Sequence, residues 1–362
     1  MTRQPPSPAP AGRAETRTTG RPPLPDRRAV PAGDAPPPLP PVGGVQPWHL
    51  GVALAVLAVA GTASLFVGVS SVTPGALLRA DEEQVLLFFA SRLPRLAAIL
   101  LSGAAMSVAG LIMQHLARNR FVAPSTAGTV ESASLGILVA TLFFTGAPLV
   151  GKMAIAVLFA LAGTAVFLGL LRRITFRDVL LVPLVGLMFG GVIRALTTFV
   201  AYRFDLLQTL GSWTTADYSG VLRGRYELLW LALAVTAVAY VYADRFTVAG
   251  MGREVAVNLG LSYERVLNLG LAIVATVTGV VVVVVGAIPF LGLIVPNLVT
   301  MAMGDHLRRA VPVTALAGAG FVLACDVVGR LIRHPYEIPV GTVAGVAGSG
   351  IFLVLLLRSR EA

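Results

Sequence analysis

Charge is scarce in this chain. Only 13% of its 362 residues are Asp, Glu, Lys or Arg, where a soluble domain carries about 25%, so much of the surface must face something other than water. The single cysteine, Cys325, excludes an internal disulfide and any thiolate metal cluster. His49, His115, His306 and His334 are scattered, and no His, Asp, Glu or Cys group has metal-ligand spacing. No G-x-x-x-x-G-K-[ST] phosphate loop occurs, so the chain is not its own ATPase. Paired aspartates, a zinc motif and a Ser–His arrangement on facing apolar runs are also missing, which argues against an intramembrane enzyme.

What is present is apolar sequence, at 56% of the chain. About ten runs reach the ~20 residues a helix needs to cross a bilayer: 49–70, 93–115, 127–145, 150–171, 179–202, 227–243, 266–286, 288–303, 310–328 and 339–357. They lack the alternation of an outer-membrane strand, and backbone in lipid must bond within its own segment, so they read as helices. The expectation is an all-α polytopic membrane protein. Residues 1–47 hold more than half of the 24 prolines and almost no large apolar residue. Such a segment cannot bury enough surface to fold and is expected as a disordered cytoplasmic tail before a transmembrane domain at 48–362.

The net charge of +10 fits basic helix ends on the cytoplasmic side better than nucleic-acid binding. Arginines gather in the linkers Arg118 to Arg120, Arg172 to Arg177, Asp244 to Arg265 and Gly304 to Arg309, whereas the first linker on the opposite side carries Asp81, Glu82 and Glu83. This places both termini in the cytoplasm. Arg92, Arg95, Arg203, Arg223, Arg225, Arg330 and Arg333 break the rule and fall near the outer face. Each alone could be a helix-end arginine reaching for the interface; together they make a basic mouth suited to an acidic partner or an anionic substrate. Phe199, Tyr202, Phe204, Trp213, Tyr218, Tyr226 and Trp230 collect on the same side, as an interfacial aromatic belt does.

Several stretches resemble the FecCD-type permeases, which import iron–siderophore complexes, haem and vitamin B12. They are Arg92-Leu-Pro-Arg95 with the small-residue span Leu101 to Gly110; Gln114 to Arg120; Gly286-Ala-Ile-Pro-Phe-Leu-Gly-Leu-Ile-Val-Pro296-Asn297; Leu323 to Arg330; and Glu337-Ile-Pro-Val-Gly341. The matches run in family order from about residue 85 to the C-terminus. Arg120 to Thr129 with Glu131, Phe199 to Asp205, Gly224 to Leu228, Ile332 to Ile338, and Asn297 in place of histidine are similar to the petrobactin and catecholate subgroup.

The resemblance implies a type II ATP-binding-cassette importer permease in the bacterial cytoplasmic membrane. It implies a ferric chelate as substrate, ATP consumed by a separate ATPase subunit, a second permease in a heterodimer, and an extracytoplasmic siderophore-binding protein. No bound cofactor and no metal site are expected. By the same resemblance Arg92, Arg95 and Arg330 would contact acidic residues of the binding protein. The stretch 249–260 would be the coupling helix seated on the ATPase, through Gly250, Gly252, Arg253, Glu254, Val255, Asn258 and Leu259.

Polar groups and helix breakers within spans suggest a pathway: Arg194, Asn297 and Asp326, with Pro289 and Pro296 interrupting the run at 286–303. For Arg194 and Asp326 an internal ion pair is an equal alternative, and Glu131 could pair with a cytoplasmic arginine. Gly186 to Gly190 and Gly341 to Gly345 are G-x-x-x-G faces that serve either intrachain packing or a dimer contact. The resemblance favours the dimer.

Overall fold

Leu, Val, Ala and Gly dominate the long runs, and helices form almost everywhere these runs occur. The computed structural model describes residues 47–67, 82–173, 181–332 and 335–358. Residues 1–46, and so nearly all of the expected tail, lie outside the described residues, as do Asp81, residues 174–180 and Arg333. Among the described residues the regular structure is entirely helical.

The helices are α1 (Pro47–Leu65), α2 (Glu82–Leu87), α3 (Leu93–Leu116), α4 (Thr129–Phe143), α5 (Leu149–Arg173), α6 (Leu181–Arg203) and α7 (Leu207–Thr214). They continue with α8 (Leu229–Val241), α9 (Ala243–Gly250), α10 (Arg253–Asn258), α11 (Tyr263–Val285), α12 (Leu291–Met303), α13 (Leu307–Leu331) and α14 (Val340–Arg358). A π-helical turn, Phe88–Arg92, joins α2 to α3. Among the described residues, six helices are long and apolar enough to cross a membrane: Trp48–Leu65, Gln84–Leu116, Leu149–Leu171, Leu181–Arg203, Tyr263–Val285 and Leu307–Leu331. Tyr226–Val241 and Ala243–Gly250 meet the same measure only together, with a bend of 64° between them. The shorter apolar helices α4, α12 and α14 occupy the remaining expected runs.

α3 is the axis. It packs against α8, α11, α12 and α13, and 78% of its most apolar 18-residue stretch is buried within the chain, against 11% for α1. Its small residues make this possible. A Cβ on Gly110 would run into the Gly292 backbone of α12, and one on Gly103 would stand 2.8 Å from the Gly318 carbonyl of α13. Backbones approach that closely only where side chains are absent.

The bundle has two ends. At the first, the starts of α3 and α14 meet the ends of α1, α11 and α13. At the second lie the end of α3, the α9–α10 segment and the α12–α13 turn. α7 dips back into the first end, where residues 213–217 form a small backbone lattice with the α11–α12 connection. Ala287 N–H donates to Trp213 O (3.2 Å), Ala216 N–H to Ala287 O (3.0 Å), and Asp217 N–H to Val285 O (2.9 Å). Gly286 turns that connection at φ 88°, and a Cβ there would meet Thr215 O at 2.7 Å.

Candidate functional site

At the first end, four segments distant in sequence converge on one charged cluster. Asp326 of α13 is fully buried. Its Oδ1 accepts from Arg95 Nε (3.0 Å) and Nη2 (2.7 Å), and its Oδ2 accepts from Arg330 one turn later. Arg95 also donates to Glu337 Oε2 at 2.7 Å. Arg330 reaches Ser64 O (2.9 Å) and Val67 O (2.6 Å), and Arg92 shares Val67 O at 2.6 Å. Two guanidiniums thereby close the open carbonyls at the end of α1, where cations are favoured. Beneath the cluster, the buried Tyr218 hydroxyl lies 2.6 Å from Ser102 Oγ. Burial pushes the Tyr218 phenol up, so it stays neutral.

Arg92, Arg95 and Arg330, expected to contact a binding protein, have their side chains engaged inside the chain. For Asp326 the internal ion pair, one of the two expected alternatives, is the one present, since both of its oxygens accept from arginine. Tyr218 also leaves the expected aromatic belt: it is buried, whereas Phe199, Tyr202, Phe204 and Trp230 are exposed. Among the described residues, Arg203, Arg223 and Arg225 stand open at the first end.

A second charged pair lies midway along the bundle. Arg194 Nη2 of α6 donates to Glu131 Oε1 of α4 at 2.8 Å, with the arginine side chain 71% exposed and the glutamate 9%. Glu131 Oε2 is buried and has no partner among the described residues. The carboxylate fits against α6 because position 190 is glycine; a Cβ there would touch Glu131 at 3.3 Å. Both residues line a cavity of about 380 Å³ between α4, α6 and α7, with Ser134, Thr197, Thr198 and Thr214. Thirteen residues into its helix, Arg194 stands about 20 Å from one end of α6 and about 14 Å from the other at ~1.5 Å per residue. A central arginine costs about 2.5–3.5 kcal/mol against lipid on insertion scales, so this face of α6 meets water or protein rather than acyl chains.

The remaining pathway candidates are internal. Asn297 is buried and donates to Arg120 O at 2.9 Å, which ties α12 to the loop after α3. Pro296 is buried within α12, and Pro289 lies in the connection that precedes it. The glycine faces are internal as well. Gly186 packs on Thr126 O, Gly190 on Gly128 and Glu131, and Gly341 on Ala216, whereas Gly191 beside them is open. The exposed stripe of α6 is instead Leu184, Leu187, Met188, Val192, Leu196 and Phe199.

At the second end, the stretch 249–260 expected to couple holds the last residues of α9 and the short helix α10. α9 ends at Gly250, Gly252 takes φ 119°, and α10 stops at Gly260 with φ 78°. Leu261 N–H closes back on Ala256 O at 2.9 Å, as at a left-handed helix end. Ala256 is buried, while Met251, Val255 and Leu259 project together with Arg253, Glu254 and Asn258. A framework anchors the segment. Arg308 donates to Asp244 (2.7 Å), Arg120 to Asp305 (2.9 Å), and Leu307 N–H to Thr247 Oγ1 (3.1 Å).

Residues 56–358 match the FecCD transport family. The chain belongs to the FecCD transport family. Among members, it is 50% identical over 312 residues to the petrobactin import system permease protein YclN of Bacillus subtilis, covering 86% of this chain and 98% of that one. It is 43% identical to the ferric-anguibactin transport system permease protein FatD of Vibrio anguillarum, covering 83% and 95%. A vitamin B12 import system permease protein, BtuC of Klebsiella pneumoniae, is 32% identical over 86% of this chain and 94% of that one. The fold is shared with an inward-facing metal-chelate type ABC transporter at a TM-score of 0.73 and 24% identity, over 86% of this chain and all of that one. The α3-centred bundle, the returning α7 and the α9–α10 segment all lie within the matched residues.

Proposed function

We propose that this chain is the membrane-spanning permease subunit of an ATP-binding-cassette importer, and that its cargo is a ferric siderophore of the petrobactin type. The observation that carries the reading is the 50% identity to a petrobactin permease over 98% of that protein. ATP is hydrolysed by a partner subunit, which supplies the power the chain lacks a phosphate loop to generate. That ATPase seats on α9–α10, where Met251, Val255 and Leu259 form an exposed apolar row backed by the buried Ala256. Gly250, Gly252, Arg253, Glu254 and Asn258 shape and rim that row.

A second permease packs on the exposed stripe of α6, and the pathway runs along the Arg194 side of that helix. The second end faces the cytoplasm and the first end faces outward in a bacterial cytoplasmic membrane. An extracytoplasmic siderophore-binding protein docks at the first end. There Arg203, Arg223 and Arg225 present open positive charge, while Arg92, Arg95 and Arg330 hold together the platform beneath them.

The test is uptake of radiolabelled ferric petrobactin into vesicles containing this chain, its partner permease and the ATPase, with the binding protein added. ATP-dependent accumulation is expected. Accumulation with neither nucleotide nor companion subunits would refute the reading, as would failure of every ferric chelate to enter.

A further inference from the structure

Among the described residues, the two buried carboxylates, Asp326 and Glu131, hold their arginines in opposite ways. Arg95 is locked by three hydrogen bonds to two carboxylates. Arg194 is tethered by one, from Nη2 to Glu131 Oε1, although a carboxylate can take a guanidinium with two parallel bonds. The other glutamate oxygen, Oε2, is buried against α6 beside Gly190 and has no partner among the described residues. Three of the hydroxyls that line the cavity are already engaged as donors: Thr197 donates to Ile193 O, Ser134 to Val130 O, and Thr214 to Leu210 O. The cavity therefore presents one singly tethered, exposed cation at its mouth.

We propose that Glu131 and Arg194 form an exchange site for the anionic face of the ferric chelate. Arg194 passes from Glu131 to a carboxylate or catecholate oxygen of the cargo and returns as the cargo leaves. Glu131 is the positioning residue: it keeps an unlocked arginine at mid-membrane and prevents the cation from holding its anion permanently. Gly190 is the spacer that lets the carboxylate lie under α6. The single tether makes the exchange reversible, since only one hydrogen bond is broken as another forms. The inference rests on the importer reading and assigns that pathway its charge selectivity.

The experiment is a charge swap in the full importer, read as kcat/KM for uptake of ferric petrobactin. If the pair serves only to hold α4 against α6, then Glu131→Arg with Arg194→Glu restores it and uptake recovers to within threefold of wild type; that result overturns the proposal. If Arg194 handles the anion, the swap places a carboxylate at the mouth. Uptake then stays at least about tenfold down, the worth of one charged hydrogen bond, with normal membrane abundance.

Should the swapped chain fail to accumulate, Arg194→Lys and Arg194→Gln decide. Gln keeps a hydrogen bond to Glu131 without charge and should raise KM about tenfold, while Lys keeps the charge and should stay within threefold. Equal values for the two overturn the proposal. A wild-type importer that takes up no ferric chelate would instead defeat the functional reading itself, so the two failures are distinguishable.

Discussion

Replacing Asp326 with asparagine tests the cluster at the first end most directly. The wild-type side chain is fully buried and accepts two hydrogen bonds from Arg95 and one from Arg330. Three arginines there, Arg92, Arg95 and Arg330, face two carboxylates, Asp326 and Glu337. Asparagine preserves shape and one acceptor oxygen, yet leaves three cations to a single anion that is itself 24% exposed. Removing one partner of a buried ion pair costs about 3–5 kcal/mol, a large part of the ~5–15 kcal/mol that holds a domain folded.

The assay is built into the chain. Cys325, its only cysteine, adjoins Asp326 and is 4% exposed. Maleimide labelling under native conditions therefore reports how often the C-terminal end of α13 opens. At 1.4 kcal/mol per tenfold, Asp326→Asn should speed labelling by about two to three orders of magnitude. Glu337→Gln, at a partly exposed site, should speed it by less than about tenfold. Labelling of Asp326→Asn within threefold of wild type, or equal acceleration by the two variants, would refute the account of a buried carboxylate holding the ends of α1, α3 and α13.

Gly110→Val puts two methyl groups into the Gly292 backbone, and the folded permease should lose about 1–3 kcal/mol or more, read as a lower midpoint of thermal unfolding in detergent. Val255→Glu with Leu259→Glu should abolish co-purification with the ATPase while leaving membrane abundance unchanged; retention of the complex would remove α10 from that contact. Arg223→Glu with Arg225→Glu should slow association of the binding protein by about tenfold at low salt, with the difference shrinking as salt rises. A salt-independent defect would point to folding instead.

Hydropathy made the spans legible, because each lipid-crossing helix must close its own backbone bonds and carry its own apolar length. α7 was not legible: eight residues including Gln208, Ser212 and two threonines show no membrane signal, and its return into the bundle is set by backbone bonds to residues 285–287. The arginines of the first end were visible as residue types, but their state was not. Arg95 meets Asp326 and Glu337 from 231 and 242 residues away, a pairing that no local pattern announces. One signal was available: Asp326 and Arg330 stand four apart on one helix, a spacing that pairs side chains. Likewise, G-x-x-x-G spacing at 186–190 signals close approach without naming the partner. The chain's own loop at 126–128, with the start of α4, fills that face.

The peripheral position of α1 shows what the buried arginines add beyond charge balance. Its whole length is apolar, only 11% of its span is buried within the chain, and a groove of about 1060 Å³ separates much of it from α13. Packing of that kind specifies neither the depth nor the rotation of a helix, since lipid tails attract a leucine about as well as another helix does. Hydrogen bonds do specify them. Arg92 and Arg330 reach the same carbonyl, Val67 O, from two different helices, and Arg330 adds Ser64 O. Since Asp326 fixes Arg330, and Arg330 with Arg92 fixes the end of α1, the first helix takes its register from a carboxylate on α13 more than 250 residues later in the chain.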